Sequence, residues 1–174
     1  MKKLFLLAPL VLFLAFVGCK KVDQILTFMV DVSQSVTIPG YFIGAQLPTP
    51  VVVKTDSETS FRNNKTTRDK VKEVYLDKMV LTITNPSDST FNFLSKLKVY
   101  INTPNKANKI LLAQINSVPR NVKSISLEPT TAKLDEYLKS DTYELTVDAT
   151  LSGFNSAKFT VRADSRFKVT ADPL

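Results

Sequence analysis

The chain contains no histidine, no tryptophan, one cysteine and four glycines. Each shortage closes a class of chemistry. Without histidine there is no Ser-His-Asp triad, no Cys-His pair and no imidazole general base. The zinc helix H-E-x-x-H cannot be written, and a lone Cys19 builds neither a Cys₂His₂ nor a Cys₄ site. One cysteine also allows no intramolecular disulfide. Gly18, Gly40, Gly44 and Gly153 are scattered, so neither a dinucleotide-binding G-x-G-x-x-G nor a P-loop can be formed. Chemistry on carboxylates, and cation binding by oxygen ligands, stay open.

What is present is ordinary for a globular chain. The 174 residues are 44% hydrophobic and 22% charged, with 9 Pro, and mean hydropathy is near zero. This length suits one domain and a tail.

The N-terminus differs from the rest. Lys2 and Lys3 precede an uncharged run from Leu4 to Val17 that carries Pro9. That run is shorter than the roughly 20 residues of a bilayer-spanning helix and fits the apolar region of a leader peptide. It closes on Phe16-Val17-Gly18-Cys19, a small residue directly before the only cysteine. This layout resembles bacterial lipoprotein signal peptides, although Phe16 stands where that pattern usually has Leu. The resemblance implies cleavage after Gly18, lipidation of Cys19 and a membrane anchor of three acyl chains. At about 0.8 kcal/mol per buried CH₂ such an anchor is effectively permanent. Lys20, where Asp would imply retention in the inner membrane, resembles an outer-membrane destination, facing the periplasm or the outside. The expected organisation is a leader over residues 1–18, a lipidated tether over 19–24 and one domain over 25–174. Loss of the leader takes the 23 basic residues to 21 against 16 acidic, and the net charge from +7 to +5.

From residue 25 onward the period-2 signal of half-buried strands dominates. Leu26, Phe28, Val30 and Val32 share one side, with Val36 and Ile38 extending the strand. Val51–Val53 forms a short strand after Leu47-Pro48-Thr49-Pro50. Residues 54–72 read as loop, with Thr67 placed to cap a short helix over Arg68–Val74. Val74 and Leu76 have one parity and Met79, Leu81 and Ile83 the other, which predicts a β-bulge or short turn at Asp77-Lys78. Phe91, Phe93, Leu97, Val99 and Ile101 alternate with Lys96, Lys98 and Tyr100. Ile110–Ile115 is a short apolar strand, and Val122, Ile125 and Leu127 mark another. Thr131–Lys139 is the one convincing helix, with Leu134, Tyr137 and Leu138 on one face. Tyr143 to Leu151 and Ala157 to Ala171 give the cleanest alternation, with a bend expected near Asp164-Ser165 because of the second strand's length.

About eight short strands separated by turns predict an all-β fold, an antiparallel β-sandwich with one short helix. A lipidated Cys followed by one such domain resembles small β-sandwich envelope lipoproteins. Thr82-Ile83-Thr84-Asn85-Pro86 also resembles the strand corner of late-embryogenesis-type sandwiches. The expected core is Phe28, Leu81, Ile83, Phe93, Val99, Leu145, Val147, Phe159 and Val161.

No acidic pair close in sequence reads as catalytic, and a glycosidase would need acids from separate strands, which one sequence does not reveal. Asp135 and Glu136 are helix neighbours and point apart, Asp56/Glu58 reads as solvated surface, and the turn Asn85, Asp88 and Ser89 lacks calcium-loop spacing. Two outward strand faces are basic: Lys158, Arg162, Arg166 and Lys168 on the last strand, and Lys96 and Lys98 beside Tyr100 on another. If those strands were neighbours, they would form one basic patch. The sequence therefore reads as a membrane-anchored envelope lipoprotein, non-catalytic, without cofactor or metal, acting as a structural or interaction module. Its expected contacts are the membrane, an envelope protein or an acidic glycan, and not nucleic acid. The alternative is a glycan-binding module of a polysaccharide-handling assembly, against which the lack of Trp and the spread of five Tyr both speak.

Overall fold

The computed structural model describes residues 25–39, 50–153 and 158–174. The leader, Gly18, Cys19 and the tether lie outside the described residues, as does most of the Pro-rich segment before Val51.

Eight strands form the domain: β1 (Leu26–Ile38), β2 (Val51–Lys54), β3 (Val71–Asn85), β4 (Leu94–Asn102), β5 (Ile110–Ile115), β6 (Ser124–Pro129), β7 (Thr142–Leu151) and β8 (Phe159–Ala171). All pairings are antiparallel, in the order β1-β8-β3-β6-β5-β4-β7-β2. The two halves of this order fold against each other as the layers of an all-β sandwich. Tyr143 of β7 meets Phe167 of β8 edge to face at 6.4 Å across the interior. The layers remain continuous through β6. Its Ser124–Leu127 portion pairs with β3, and Glu128 and Pro129 pair with β5. On the opposite side the sheet ends at β1 and β2, so it is nearly but not fully closed.

The alternation read from sequence is the alternation of burial. Val30 of β1, Met79, Leu81 and Ile83 of β3, Leu97, Val99 and Ile101 of β4, and Phe167 and Val169 of β8 are buried. Ile25 and Met29, which blur the pattern of β1, are exposed. Of the expected core, Leu81, Ile83, Val99, Leu145, Phe159 and Val161 are buried, whereas Phe28, Phe93 and Val147 are half-buried and pack against them. The parity switch in β3 is a register shift between Leu76 and Lys78, which leaves Asp77 as the bulged residue.

Four local readings change. Residues 54–72 are not all loop. Helix α1 (Ser57–Asn63) forms there and buries Phe61, whose ring meets Phe28 edge-on at 6.2 Å. One aromatic anchored on β1 supplies the tertiary packing that a seven-residue helix needs. Over Arg68–Val74, only Arg68–Lys70 is helical, as a single 3₁₀ turn, and Val71 already begins β3. The predicted helix over Thr131–Lys139 contracts to α2 (Asp135–Leu138). Leu134, Tyr137 and Leu138 are all buried as expected, and the Leu134 N–H donates to the Val74 carbonyl at 2.8 Å. That bond fastens the helix start to β3. Strand β8 continues through Asp164 and Ser165, paired with β1 from Ile38 to Leu26 without a register shift. The irregularity lies on its other side, in the β3 bulge opposite Arg166 and Phe167.

Candidate functional site

The two basic faces occupy different layers. Strand β8 lies between β1 and β3, while β4 lies between β5 and β7. The residues Lys158, Arg162, Arg166 and Lys168 are therefore not joined to Lys96, Lys98 and Tyr100 in one patch. An outward-pointing residue of one layer faces away from the outward-pointing residues of the other.

On the outer face of β1, β8 and β3, acids neutralise half of the basic set. Arg166 Nε donates to Asp31 Oδ1 at 2.8 Å, from the position directly opposite on β1. Arg162 Nε donates to Asp164 Oδ2 at 2.9 Å, and the Ser33 hydroxyl donates to the other oxygen of the same carboxylate. The Ser33 hydrogen bond, followed by the Arg162 guanidinium, holds Asp164 below the usual carboxylate range. Asp31 likewise holds the Arg166 guanidinium in its charged form. These residues rim a shallow groove floored by Lys78, Val80 and Thr82 of β3. Lys168 is exposed beyond it, level with Met29 and Tyr75. Lys158 is exposed just before β8.

On the other layer Lys96 and Lys98 are exposed and Tyr100 is half-buried. Lys98 is level with Asp148 of β7, yet no ion pair joins them. Lys109 Nζ sits 4.7 Å from the Tyr100 ring centroid and covers one face of the ring. Among the described residues Lys96 and Lys98 thus have no ion-paired acid, as is also true of Lys158 and Lys168, whereas Arg162 and Arg166 are paired.

Among the described residues no three acidic or cysteine side chains are grouped to hold a metal ion. No helix among them is long and apolar enough to cross a membrane.

A third feature lies between the layers, at the end where Ile38 is level with Phe159. A cavity of about 120 Å³ opens there. Leu145, Val147, Ala149 and Leu151 of β7 line one side, and Val161 and Ala163 of β8 another. Among the described residues of the lining, Gln34 of β1 has the only polar side chain.

No family model matches the chain and no curated protein matches it. Among solved structures the chain is similar to Desmodium yellow mottle tymovirus, with 10% identity over 86% of this chain and 90% of that chain and a TM-score of 0.27. It is also similar to turnip yellow mosaic virus at 100 K, with 8% identity over 86% and 96% and a TM-score of 0.26. At such scores the likeness carries no argument about fold or role.

Sequence reasoning missed the cavity and the neutralised arginines. The cavity had a faint signal, since Ala149, Ala163 and Gln34 sit at inward positions where large apolar residues would fill the interior. Asp164 shares the parity of Arg162 and Arg166 and is readable from sequence. Asp31 comes alongside only through the β1–β8 register, which a sequence does not reveal.

Proposed function

We propose that the protein is a lipid-anchored, non-catalytic module of the bacterial cell envelope that binds a partner through its surface. The observation that carries this reading is the Gly18–Cys19 junction closing an apolar leader. Its support from the fold is one of distance. Residues 20–25 connect Cys19 to the start of β1, and so short a segment spans at most about 25 Å. Lipidated at Cys19, the chain would keep the end of the sandwich bearing Leu26, Val71 and Ala171 close to the bilayer. The sheet faces would stand clear of it, available for lateral contacts. The fitting destination is the outer membrane, in either orientation.

The surface we assign to binding is the β4 face with Lys96 and Lys98, because among the described residues these two cations have no ion-paired acid, whereas Arg162 and Arg166 do. An acidic envelope protein or acidic glycan fits it. A neutral glycan platform comes second, because Tyr100 is half-buried and Lys109 already occupies one face of its ring.

Mass spectrometry of the membrane-extracted protein tests the anchor. The expected result is an N-terminal acylated Cys19, and a Cys19→Ala protein that leaves the membrane fraction. A mature protein without acyl mass, or a Cys19→Ala protein still held in the membrane, overturns the reading.

A further inference from the structure

We propose that the tether end of the β1–β8–β3 face lies against the lipid bilayer, so that the sandwich leans on the membrane instead of hanging from its acylated cysteine. The proposal rests on the anchoring at Cys19 and adds the protein surface that meets the lipid.

The outward side of β1 changes character along its length. Thr37, Ser35, Ser33 and Asp31 are polar and exposed. Below them come Met29 and Ile25, 47% and 58% exposed, with Thr27 between. Among the described residues the other exposed large apolar side chains are Val52, on β2 in the other layer, and Leu174. Leu174 follows the end of β8, where its N–H donates to the Lys65 carbonyl at 3.0 Å. Because Leu26 is level with Ala171, Ile25 and the segment Asp172–Leu174 leave the sheet at one end. That is the end where the tether from Cys19 arrives. A single exposed apolar side chain is ordinary. Their gathering where an acylated tether meets the domain selects lipid as the occupant.

The strand register supplies the companions of Met29. It is level with Lys168 of β8, which is level with Tyr75 of β3. Lys168 is exposed and Tyr75 half-buried. Such a row suits the headgroup boundary. The thioether enters the apolar side, the lysine stem lies along it with its ammonium at the phosphates, and the tyrosine ring sits at the interface. The carboxylates of Glu73 and Asp172 at this end are already paired, with Lys133 and Lys72, so neither meets the headgroups uncompensated. Ile25 and Met29 are about 14 Å apart along the strand. Both reach a flat surface only if β1 tilts towards it, which a tether of at most about 25 Å allows. The opposite layer, with Lys96 and Lys98, then faces away from the bilayer.

The test spin-labels the membrane-extracted protein after reconstitution into vesicles of phosphatidylethanolamine and phosphatidylglycerol. Met29→Cys and Ser35→Cys each give one labelling position, on the same side of β1 and about 20 Å apart. Power saturation compares collisions of each label with oxygen, which concentrates in lipid, and with a water-soluble nickel chelate. Expected is a label at position 29 open to oxygen and shielded from the chelate, and a label at position 35 with the reverse behaviour. In a Thr27→Cys protein the label should likewise be shielded, and adding Met29→Glu should abolish that shielding. Labels at 29 and 35 equally open to the chelate, or no effect of Met29→Glu, overturn the proposal. Dipolar broadening between labels at position 29 also overturns it, because a second copy would then cover the patch. Mass spectrometry of the same samples separates the two readings. An unacylated Cys19 removes the anchor, whereas an acylated Cys19 with an exposed label at position 29 removes only the leaning orientation.

Discussion

Arg166 on β8 and Asp31 on β1 face each other directly in the strand register and form an ion pair of 2.8 Å on the outer surface of the sandwich. The pair makes a cationic position read from the sequence into a locally neutral one. It also separates two roles that a basic stripe suggests, one in strand pairing and one in recruitment.

The first prediction follows from that separation. Arg166→Ala should leave the unfolding midpoint almost unchanged, as exposed ion pairs contribute little to stability. It should barely change binding to an acidic polysaccharide. The double variant Lys96→Ala and Lys98→Ala should weaken that binding more than Arg166→Ala does. Binding should fall as salt rises, because screening at physiological ionic strength acts over about 8 Å. Cosedimentation at two salt concentrations checks each statement. Equal losses in the two variants would assign binding to the β8 face.

Asp164 supplies a test at acid pH. Its folded carboxyl titrates below the ordinary value, chiefly because Ser33 donates to it and then because Arg162 lies beside it. A depressed folded pKa means that the contribution to stability is present above the unfolded value of about 3.9 and is lost as pH falls through the folded one. Ser33→Ala should move the Asp164 carboxyl resonance titration upward towards that ordinary value. An unchanged titration would show that the hydroxyl does not reach the carboxylate in solution.

Tyr137 supplies the matching test at alkaline pH. Burial first, and the neighbouring Glu136 charge second, push its phenol up to about 12. Its hydroxyl donates to the Asn108 carbonyl at 2.6 Å. A raised folded pKa gives stability that is intact below the unfolded value of about 10 and is lost as pH climbs from there towards the folded value. Denaturant midpoints should therefore begin to fall above about pH 10. In Tyr137→Phe that decline should be shallower, while stability at neutral pH drops by about 1 kcal/mol for the lost hydrogen bond.

Packing differs along the interior, and truncations should report it. Phe167 is fully buried against Tyr143, so Phe167→Ala should cost about 3–5 kcal/mol. Val147 lines the cavity and is half-buried. Val147→Ala should cost clearly less, because many of its packing partners are already missing. Urea midpoints with unchanged slopes would measure both. Equal costs at the two sites would contradict the cavity.

The strand alternation was legible wherever one face of a strand meets the core and the other meets water. That is why β1, β7 and β8 stand out in the sequence, and why the parity switch at Asp77-Lys78 locates the bulge. Helix α1 was not legible. Its single buried anchor, Phe61, lies among Ser, Thr, Asn and Arg, and the contact that fixes it comes from Phe28 on a distant strand. The cavity hid for a related reason. Parity tells which side chains point inward, but not whether their volumes fill the space between two layers. The basic faces were legible as stripes on single strands. Their separation depends on strand order, which one sequence does not encode in any local pattern.

β8 follows every other strand of the sandwich in the sequence, yet it occupies an interior position between β1 and β3. Among the described residues β1 is the earliest strand and finds its only ladder partner there, and the Ser33–Asp164 contact closes a separation of 131 residues. Until β8 emerges from the ribosome, β1 has no hydrogen-bonding edge to join and one side of β3 stays open. Closure over such separations is slow. The layer that holds β1 and β3 is therefore completed by the last strand, whereas the layer of β5, β4, β7 and β2 has all its strands before β8 begins.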